Sequence, residues 1–235
     1  DHSKFYVMDG EVLFLGGINI EDKENGRDHA GRAYRDYMVR IDGAQTVKDF
    51  LDTLKAPERS ASGLFGMNVK RPKRYFGMEK RYLDLIRSAE KELTVVMAYF
   101  SPIPAVMREI LAAAARGAEV RILCPAHANF QDSLNKSTLN RLKRKSRGKI
   151  RIFLSPCMLH TKLLMTEKEV TFGSCNITKK AFRQLDELNL FLPREDPAVR
   201  ALAESVEADF AEAGTEVTGH LDCHAARGFL ESFLV

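Results

Sequence analysis

Short runs of alternating apolar and polar residues open the chain. Lys4-Phe5-Tyr6-Val7-Met8 and Glu11-Val12-Leu13-Phe14-Leu15 read as two strands, and Asp9-Gly10 between them is a hairpin turn signal. Residues 20–33 are polar and carry glycine, which predicts a loop. Asp36–Ile41 alternates in the manner of a strand and stops at Asp42-Gly43. Val47, Phe50, Leu51 and Leu54 then recur at helical spacing over 45–55. Residues 57–76 mix Pro, Ser, Gly and a basic run, a composition that predicts a linker.

Beyond the linker the chain becomes regular. Residues 78–91 predict a helix, and Leu93–Tyr99 a strand buried on both faces. Pro104–Arg116 is an Ala-rich helix closed by Gly117. A strand at Val120–Cys124, a polar and basic helix at 130–146 and a strand at Ile150–Leu154 follow. This alternation describes parallel βαβ units. A hairpin (Leu159–Thr166 with Glu169–Phe172), a strand at 185–192 and a helix near 197–212 complete the set. The fold class is therefore α/β in two lobes. Residues 1–60 are the closing part of a first lobe, 61–76 the linker and 77–235 the second lobe. The first lobe has its hairpin and one further strand but no preceding βαβ units, so it is incomplete in this chain.

With 235 residues and 45% hydrophobic composition, the chain can bury one large core or two modest ones. The net charge of +4 does not by itself imply a nucleic-acid partner. The positive charge is clustered, in Lys70–Arg74 and in Arg141–Lys149. These runs are either solvated faces or surfaces that meet anionic lipid or nucleic acid. Cys124, Cys157, Cys175 and Cys223 show neither CxxC nor metal-ligand spacing, which favours reduced thiols over a disulfide framework. No run approaches the length of a membrane-spanning helix. The chain opens at Asp1, without Met and almost on top of a motif, so a fragment or a missing leader is expected, and an upstream membrane anchor stays open.

The chemistry lies in a pattern that occurs twice. His2-Ser3-Lys4 is followed by Asp9, and His160-Thr161-Lys162 by Glu167, a carboxylate seven residues after each His. Gly16-Gly17-Ile18-Asn19 follows the first copy and Gly173-Ser174-Cys175-Asn176 the second, at nearly equal distance. This repetition reads as an internal duplication with a site where the copies meet. Residues two apart on a strand share a face, so His2 projects with Lys4 and His160 with Lys162. The hairpins bring Asn19 and Asn176 alongside, with the Ser174 hydroxyl in the second copy only.

Two imidazoles, two ammonium groups and two amides suit a phosphate. Lys and Asn hold its oxygens and stabilise transition-state charge. One imidazole can attack phosphorus and the other can protonate the leaving alcohol. Asp36 and Glu187, each on the strand after its own motif, are placed to orient the imidazoles. No cofactor and no metal is needed, because the protein supplies the cations. Asp9 and Glu167 sit near turns and are candidates for either a catalytic or a structural part. His29, His127, His220 and His224 lack the repetition and read as structural.

These residues resemble the HKD motifs (His-x-Lys-x4-Asp, then Gly-Ser-x-Asn) of the phospholipase D superfamily, over nearly the whole chain. The resemblance implies two lobes of α/β/α architecture built on mixed sheets, a shared site and a covalent phosphohistidine formed without metal. It implies His2 as nucleophile and His160 as general acid. Within the superfamily the chain looks most like bacterial cardiolipin synthases, through Gly16–Ile20, Tyr34–Gly43, Tyr99–Pro102 and Ala115–Leu123. Such enzymes move a phosphatidyl group from one phosphatidylglycerol to another and release glycerol.

The chain departs from the pattern at several points. Gly17 stands for Ser, Glu167 for Asp and Tyr34 for a frequent Trp, and Ile177-Thr178-Lys179-Lys180 lacks the Asp-x-Arg-Ser common in synthases. The implied partners are an anionic phospholipid substrate and a membrane surface, at the cytoplasmic face of a bacterial inner membrane. The alternatives are a phospholipase D hydrolase, a phosphodiesterase acting on nucleic acid, or an inactive binding module of the same fold.

Overall fold

The computed structural model describes residues 1–24, 33–59, 63–71 and 73–233. Residues 25–32 of the predicted loop, with His29, lie outside the described residues, as do 60–62 and 72 of the predicted linker.

The first hairpin forms as its sequence requires. β1 (Phe5–Met8) pairs antiparallel with β2 (Val12–Gly16). Asp9 and Gly10 take φ of 52° and 70°, and the Glu11 N–H donates to the Met8 carbonyl at 3.0 Å. Positive φ at two adjacent turn positions is the reason an Asp-Gly pair is found there. β3 (Met38–Asp42) adds to β2, and helix α1 (Ala44–Lys55) follows.

An eight-stranded mixed sheet carries the rest. Its strands are β4 (Phe65–Val69), β5 (Tyr75–Phe76), β6 (Glu92–Met97), β8 (Glu119–Pro125), β9 (Ile150–Ser155), β10 (Lys162–Thr166), β11 (Glu169–Gly173) and β13 (Glu187–Pro193), in the order β5-β4-β13-β11-β10-β6-β8-β9. The predicted parallel units appear as β6, β8 and β9, linked by α3 (Pro104–Arg116) and α4 (Asp132–Ser146). Pro104 opens α3, and Gly117 closes it in the left-handed region at φ 103°. Two short strands, β7 (Phe100–Ser101) and β12 (Ile177–Thr178), pair in parallel beside the sheet, and the short helix α5 (Lys179–Arg183) follows β12.

Residues 61–76 require a correction. The composition reads as a linker, but Phe65–Val69 and Tyr75–Phe76 are strands on the β13 edge of the large sheet. Tertiary contacts make the strand. Gly66 faces the Phe191 ring, so close that an added Cβ would lie 2.4 Å from it. Asn68 is buried, but its amide is satisfied by the carbonyls of Ala181 (2.9 Å) and Phe182 (3.2 Å) and by the Met78 N–H (3.0 Å).

The two faces of the sheet are covered differently. α2 (Met78–Ser88), α3 and α4 pack on one face over Val95, Met97, Ile122, Ile152 and Leu164. The other face presents Val96, Leu123, Phe153, Leu163 and Met165 to α6 (Pro197–Ala213), α1 and the small sheet, which contributes Leu13 and Leu15 from β2. Odd and even residues of β10 thus face opposite layers, the period-two alternation of a strand buried on both sides. The result is a layered α/β/α arrangement, with the N-terminal hairpin packed against one face of the main sheet.

Candidate active site

The N-terminal ends of β1 and β10 carry the two motifs. β10 runs antiparallel to β6, so its first residues lie at the C-terminal end of the parallel strands, where open α/β sheets bind ligands.

The two copies hold each other. The His2 N–H donates to the Asp186 carbonyl at 3.0 Å, and His2 Nδ1 lies 2.9 and 3.0 Å from the Glu187 carboxylate oxygens. The His160 N–H donates to the Arg35 carbonyl at 2.8 Å, and His160 Nδ1 lies 3.1 Å from Asp36 Oδ2. Each histidine therefore docks its backbone on the residue before a carboxylate and its ring on that carboxylate. In both cases the carboxylate belongs to the other copy. This corrects the expectation that Asp36 and Glu187 each serve the histidine of their own motif. Spacing along one copy does not reveal which partner the fold brings opposite.

The glycine-containing segments repeat this symmetry. The N–H of Gly17 donates to the Tyr37 carbonyl at 2.9 Å, and that of Ser174 to the Leu188 carbonyl at 3.0 Å. At the preceding glycines the neighbouring strand passes so near that a Cβ would lie 2.2 Å from Tyr37 O at Gly16 and 2.3 Å from Leu188 O at Gly173. Only glycine admits that approach.

The second position differs between copies for a reason of length. Ser174 Oγ donates to Glu187 Oε2, whose longer side chain leaves room for the hydroxyl. The shorter Asp36 fills the equivalent space itself, and a Cβ on Gly17 would meet its Oδ2 at 2.3 Å. Gly17→Ser, which restores the family residue, should therefore displace Asp36 and lower stability by about 1–3 kcal/mol. Chemical denaturation checks this, with Ser174→Gly as the reciprocal control.

His160 has a second carboxylate that sequence reasoning missed. Glu24 Oε1 lies 3.1 Å from His160 Nδ1 and accepts from the Asn19 side-chain amide at 2.7 Å, while its other oxygen accepts from the Asn19 N–H. Burial pushes the Glu24 carboxyl up, but the bonds from His160 and Asn19 outweigh it and hold the group below the usual range. Its only signal is its place in the charged stretch Glu21-Asp22-Lys23-Glu24, which begins two residues after the motif Asn19.

Lys162 is fully buried, with Nζ 3.1 Å from Asp36 Oδ2 and 2.8 Å from His160 Nδ1, and it also donates to the His160 carbonyl. Lys4 Nζ donates to the His2 carbonyl at 2.6 Å. Burial and the charge of Lys162 pull the Lys4 ammonium below its ordinary value, against the opposite pull of Glu187, Glu24 and Asp36. Burial lowers Lys162 likewise, and Asp36, Glu24 and Glu187 offset part of the shift. That Lys4 feels Lys162, and that both feel carboxylates from each half, makes one electrostatic centre of the two motifs. Glu24, Asp36 and His160 offer three ligand atoms within 4.8 Å of one another, a set that could hold a metal ion. The Lys162 ammonium already lies beside two of these groups and supplies the cation there.

Around the rings, Tyr34 and Tyr99 approach His160 with centroids 6.0 and 6.2 Å away. Asn176 Oδ1 accepts from the Tyr99 N–H at 3.3 Å, and burial lifts the Tyr99 phenol to about 12. Asp9 and Glu167 stand apart. Each lies seven positions along the chain from its histidine, roughly 20 Å when extended. Asp9 is in the exposed hairpin turn, and the Glu167 carboxylate accepts from the N–H groups of Glu90, Lys91 and Glu92 at 3.0–3.3 Å. The fold brings together His2, Lys4, Asn19, Asp36, His160, Lys162, Ser174, Asn176 and Glu187, and leaves Asp9 and Glu167 at the far ends of their strands.

The architecture is that of known phospholipase D-type structures. It superposes on phosphatidylserine synthase from Haemophilus influenzae with a TM-score of 0.77 at 13% identity, covering 99% of this chain and 66% of that one. A phospholipase D family member, Nuc from Salmonella typhimurium, matches with a TM-score of 0.55 at 18% identity over 66% of this chain and 98% of that one. Residues 82–213, more than half of the chain, match the family described as "Cardiolipin synthase, PLD-like domain", and the chain belongs to it. Cardiolipin synthase A of Pseudomonas fluorescens is 27% identical in an alignment 231 residues long that covers 91% of this chain and 48% of that protein. The chain thus spans about half the length of the curated relatives it matches.

Proposed function

We propose that this chain is the catalytic part of a phosphatidyltransferase that joins two phosphatidylglycerol molecules through a phosphohistidine. The observation that carries the proposal is the reciprocal pairing of His2 with Glu187 and His160 with Asp36. Donation of Nδ1–H to Glu187 leaves the Nε2 lone pair of His2 free to attack, and the His160 ring enters the step with a proton on Nε2. His2 Nε2 attacks phosphorus, the bond from phosphorus to the glycerol oxygen breaks, and His160 gives its proton to that oxygen. The hydroxyl of a second phosphatidylglycerol then attacks phosphorus, His160 takes its proton, and the phosphorus–nitrogen bond breaks. Lys4 holds a non-bridging oxygen as charge builds, and the buried Lys162 adds its positive charge beside His160. The names of the sequence relatives favour lipid as substrate.

Incubation of the chain with labelled phosphatidylglycerol, and separately with single-stranded DNA, both in chelator, tests the reading. Formation of cardiolipin and glycerol, with DNA intact, is the expected result. Cleavage of DNA with lipid untouched would move the substrate to nucleic acid.

The lowered lysines give a pH prediction. Turnover should fall as pH rises through values below the ordinary 10.5, because Lys4 and Lys162 lose their protons early. Over that window the unfolded chain binds more protons than the native one, so the two lysines make native stability rise with pH. Rate loss without a drop in melting temperature separates this effect from unfolding.

A further inference from the structure

The C-terminal helix α7 (Ala225–Glu231) is built inside out. Gly228 and Glu231 face the protein and are buried. The Glu231 carboxylate accepts from the Leu134 N–H at 2.9 Å, in the first turn of α4, and from Arg227 at the same distance. Gly228 lies against Ser133, where an added Cβ would sit 3.5 Å from its carbonyl. The apolar side chains point outward. Phe229, Leu230 and Phe233 are 65%, 66% and 70% exposed. The two phenylalanine rings pack edge-on at 4.9 Å and form an aromatic patch. A helix docked through a glycine and a carboxylate gains little hydrophobic stabilisation from its own apolar residues, which are therefore available to something else.

The surroundings of the patch favour one occupant. The half-exposed Phe130 ring, three residues before Ser133, packs edge-on against Tyr99 at 5.9 Å, and Tyr99 against His160 at 6.2 Å. Asn19, which donates to the Glu24 carboxylate beside His160, is followed by Ile20, which is 85% exposed. Apolar groups thus lead from the imidazole to the surface and continue near the base of α7. Further along α4, Arg141, Arg144 and Lys145 are exposed, and Arg147 and Lys149 follow its end. Aromatic and aliphatic side chains beside a basic helix match the layered chemistry of an anionic bilayer, with acyl chains below and phosphates above. A second copy fits less well. Three side chains about two-thirds exposed offer roughly 400 Å², well short of the about 1,200 Å² total of a stable interface even when doubled.

We propose that Phe229, Leu230 and Phe233 insert into the surface of an anionic membrane and set the His160 side of the site against it. This rests on the lipid reading of the site, but its test does not need turnover. The whole chain is pelleted with vesicles of phosphatidylglycerol and phosphatidylethanolamine, and with vesicles of phosphatidylcholine alone. The chain should pellet with the anionic vesicles and weakly with the neutral ones. The variant Phe229→Ser, Leu230→Ser, Phe233→Ser should lose at least about tenfold in vesicle affinity. Its melting temperature and any cleavage of soluble bis(p-nitrophenyl) phosphate should stay unchanged. Equal pelleting of variant and parent overturns the proposal. So does a dimer of the parent that becomes a monomer in the variant by light scattering, since a second copy would then cover the patch. Pelleting judges the docking face even where the chain proves inert on every phosphodiester.

Discussion

His2→Ala and His160→Ala should each lower turnover of phosphatidylglycerol by at least about 10⁴-fold. Neither loss is repairable by the neighbouring lysines, which hold an anion but offer no nucleophile of suitable geometry, since Lys4 and Lys162 donate into the carbonyls of the histidines themselves. The two variants should fail at different places. Without His2 there is no phosphorus acceptor, so no covalent adduct forms. Without His160 the leaving alkoxide goes unprotonated, and a substrate with a good leaving group, such as a p-nitrophenyl phosphodiester, should recover much of the first step. Rapid-quench measurement of the nitrophenol burst in each variant checks this. Substrate binding should change little in either, because the cations and amides proposed to grip the phosphate remain.

Glu187→Gln should lower kcat by about 10²–10⁴-fold, through loss of the tautomer and orientation of a ring in the opposite motif. The distance in sequence makes the prediction discriminating. His2 and Glu187 are 185 residues apart, with Nδ1 2.9 Å from Oε2. A double-mutant cycle on folding stability should give a coupling of about 1.5–3 kcal/mol for His2 with Glu187, as for a hydrogen bond to a charged group. His160 with Glu187 should give close to none. Pairing within each copy, as the linear pattern suggests, predicts the reverse. Asp36→Asn should behave alike toward His160, though less severely, because Glu24 holds the same Nδ1 at 3.1 Å.

Much of this arrangement was legible in the residues. The paired His-x-Lys stretches, the glycine-containing segments after them and the following strands were visible because period-two runs and turn residues are local features. The parallel units were visible for the same reason, with Gly117 and Pro104 marking the ends of α3. Three things were not legible. β4 has a Gly and an Asn in place of apolar residues, and both are explained only by the Phe191 ring and by carbonyls more than a hundred residues away. Glu24 looked like one more charge in a polar loop, because nothing local marks an acid that meets a distant imidazole. The exchange of Asp36 and Glu187 between copies depends on the packing of β2 against the main sheet, which no spacing encodes. The departure at Gly17 was visible, but its meaning was not: the missing hydroxyl reflects the room taken by the Asp36 carboxylate.

On the proposed mechanism both imidazoles serve one phosphorus atom, and one of them bonds to it. Phosphatidylglycerol labelled at phosphorus, acid-free quenching during turnover and peptide mapping by mass spectrometry test it most directly. An acid-labile label is expected on the peptide bearing His2, absent in His2→Ala and discharged when a second alcohol is added. Steady turnover with no label on either His2 or His160 would contradict it.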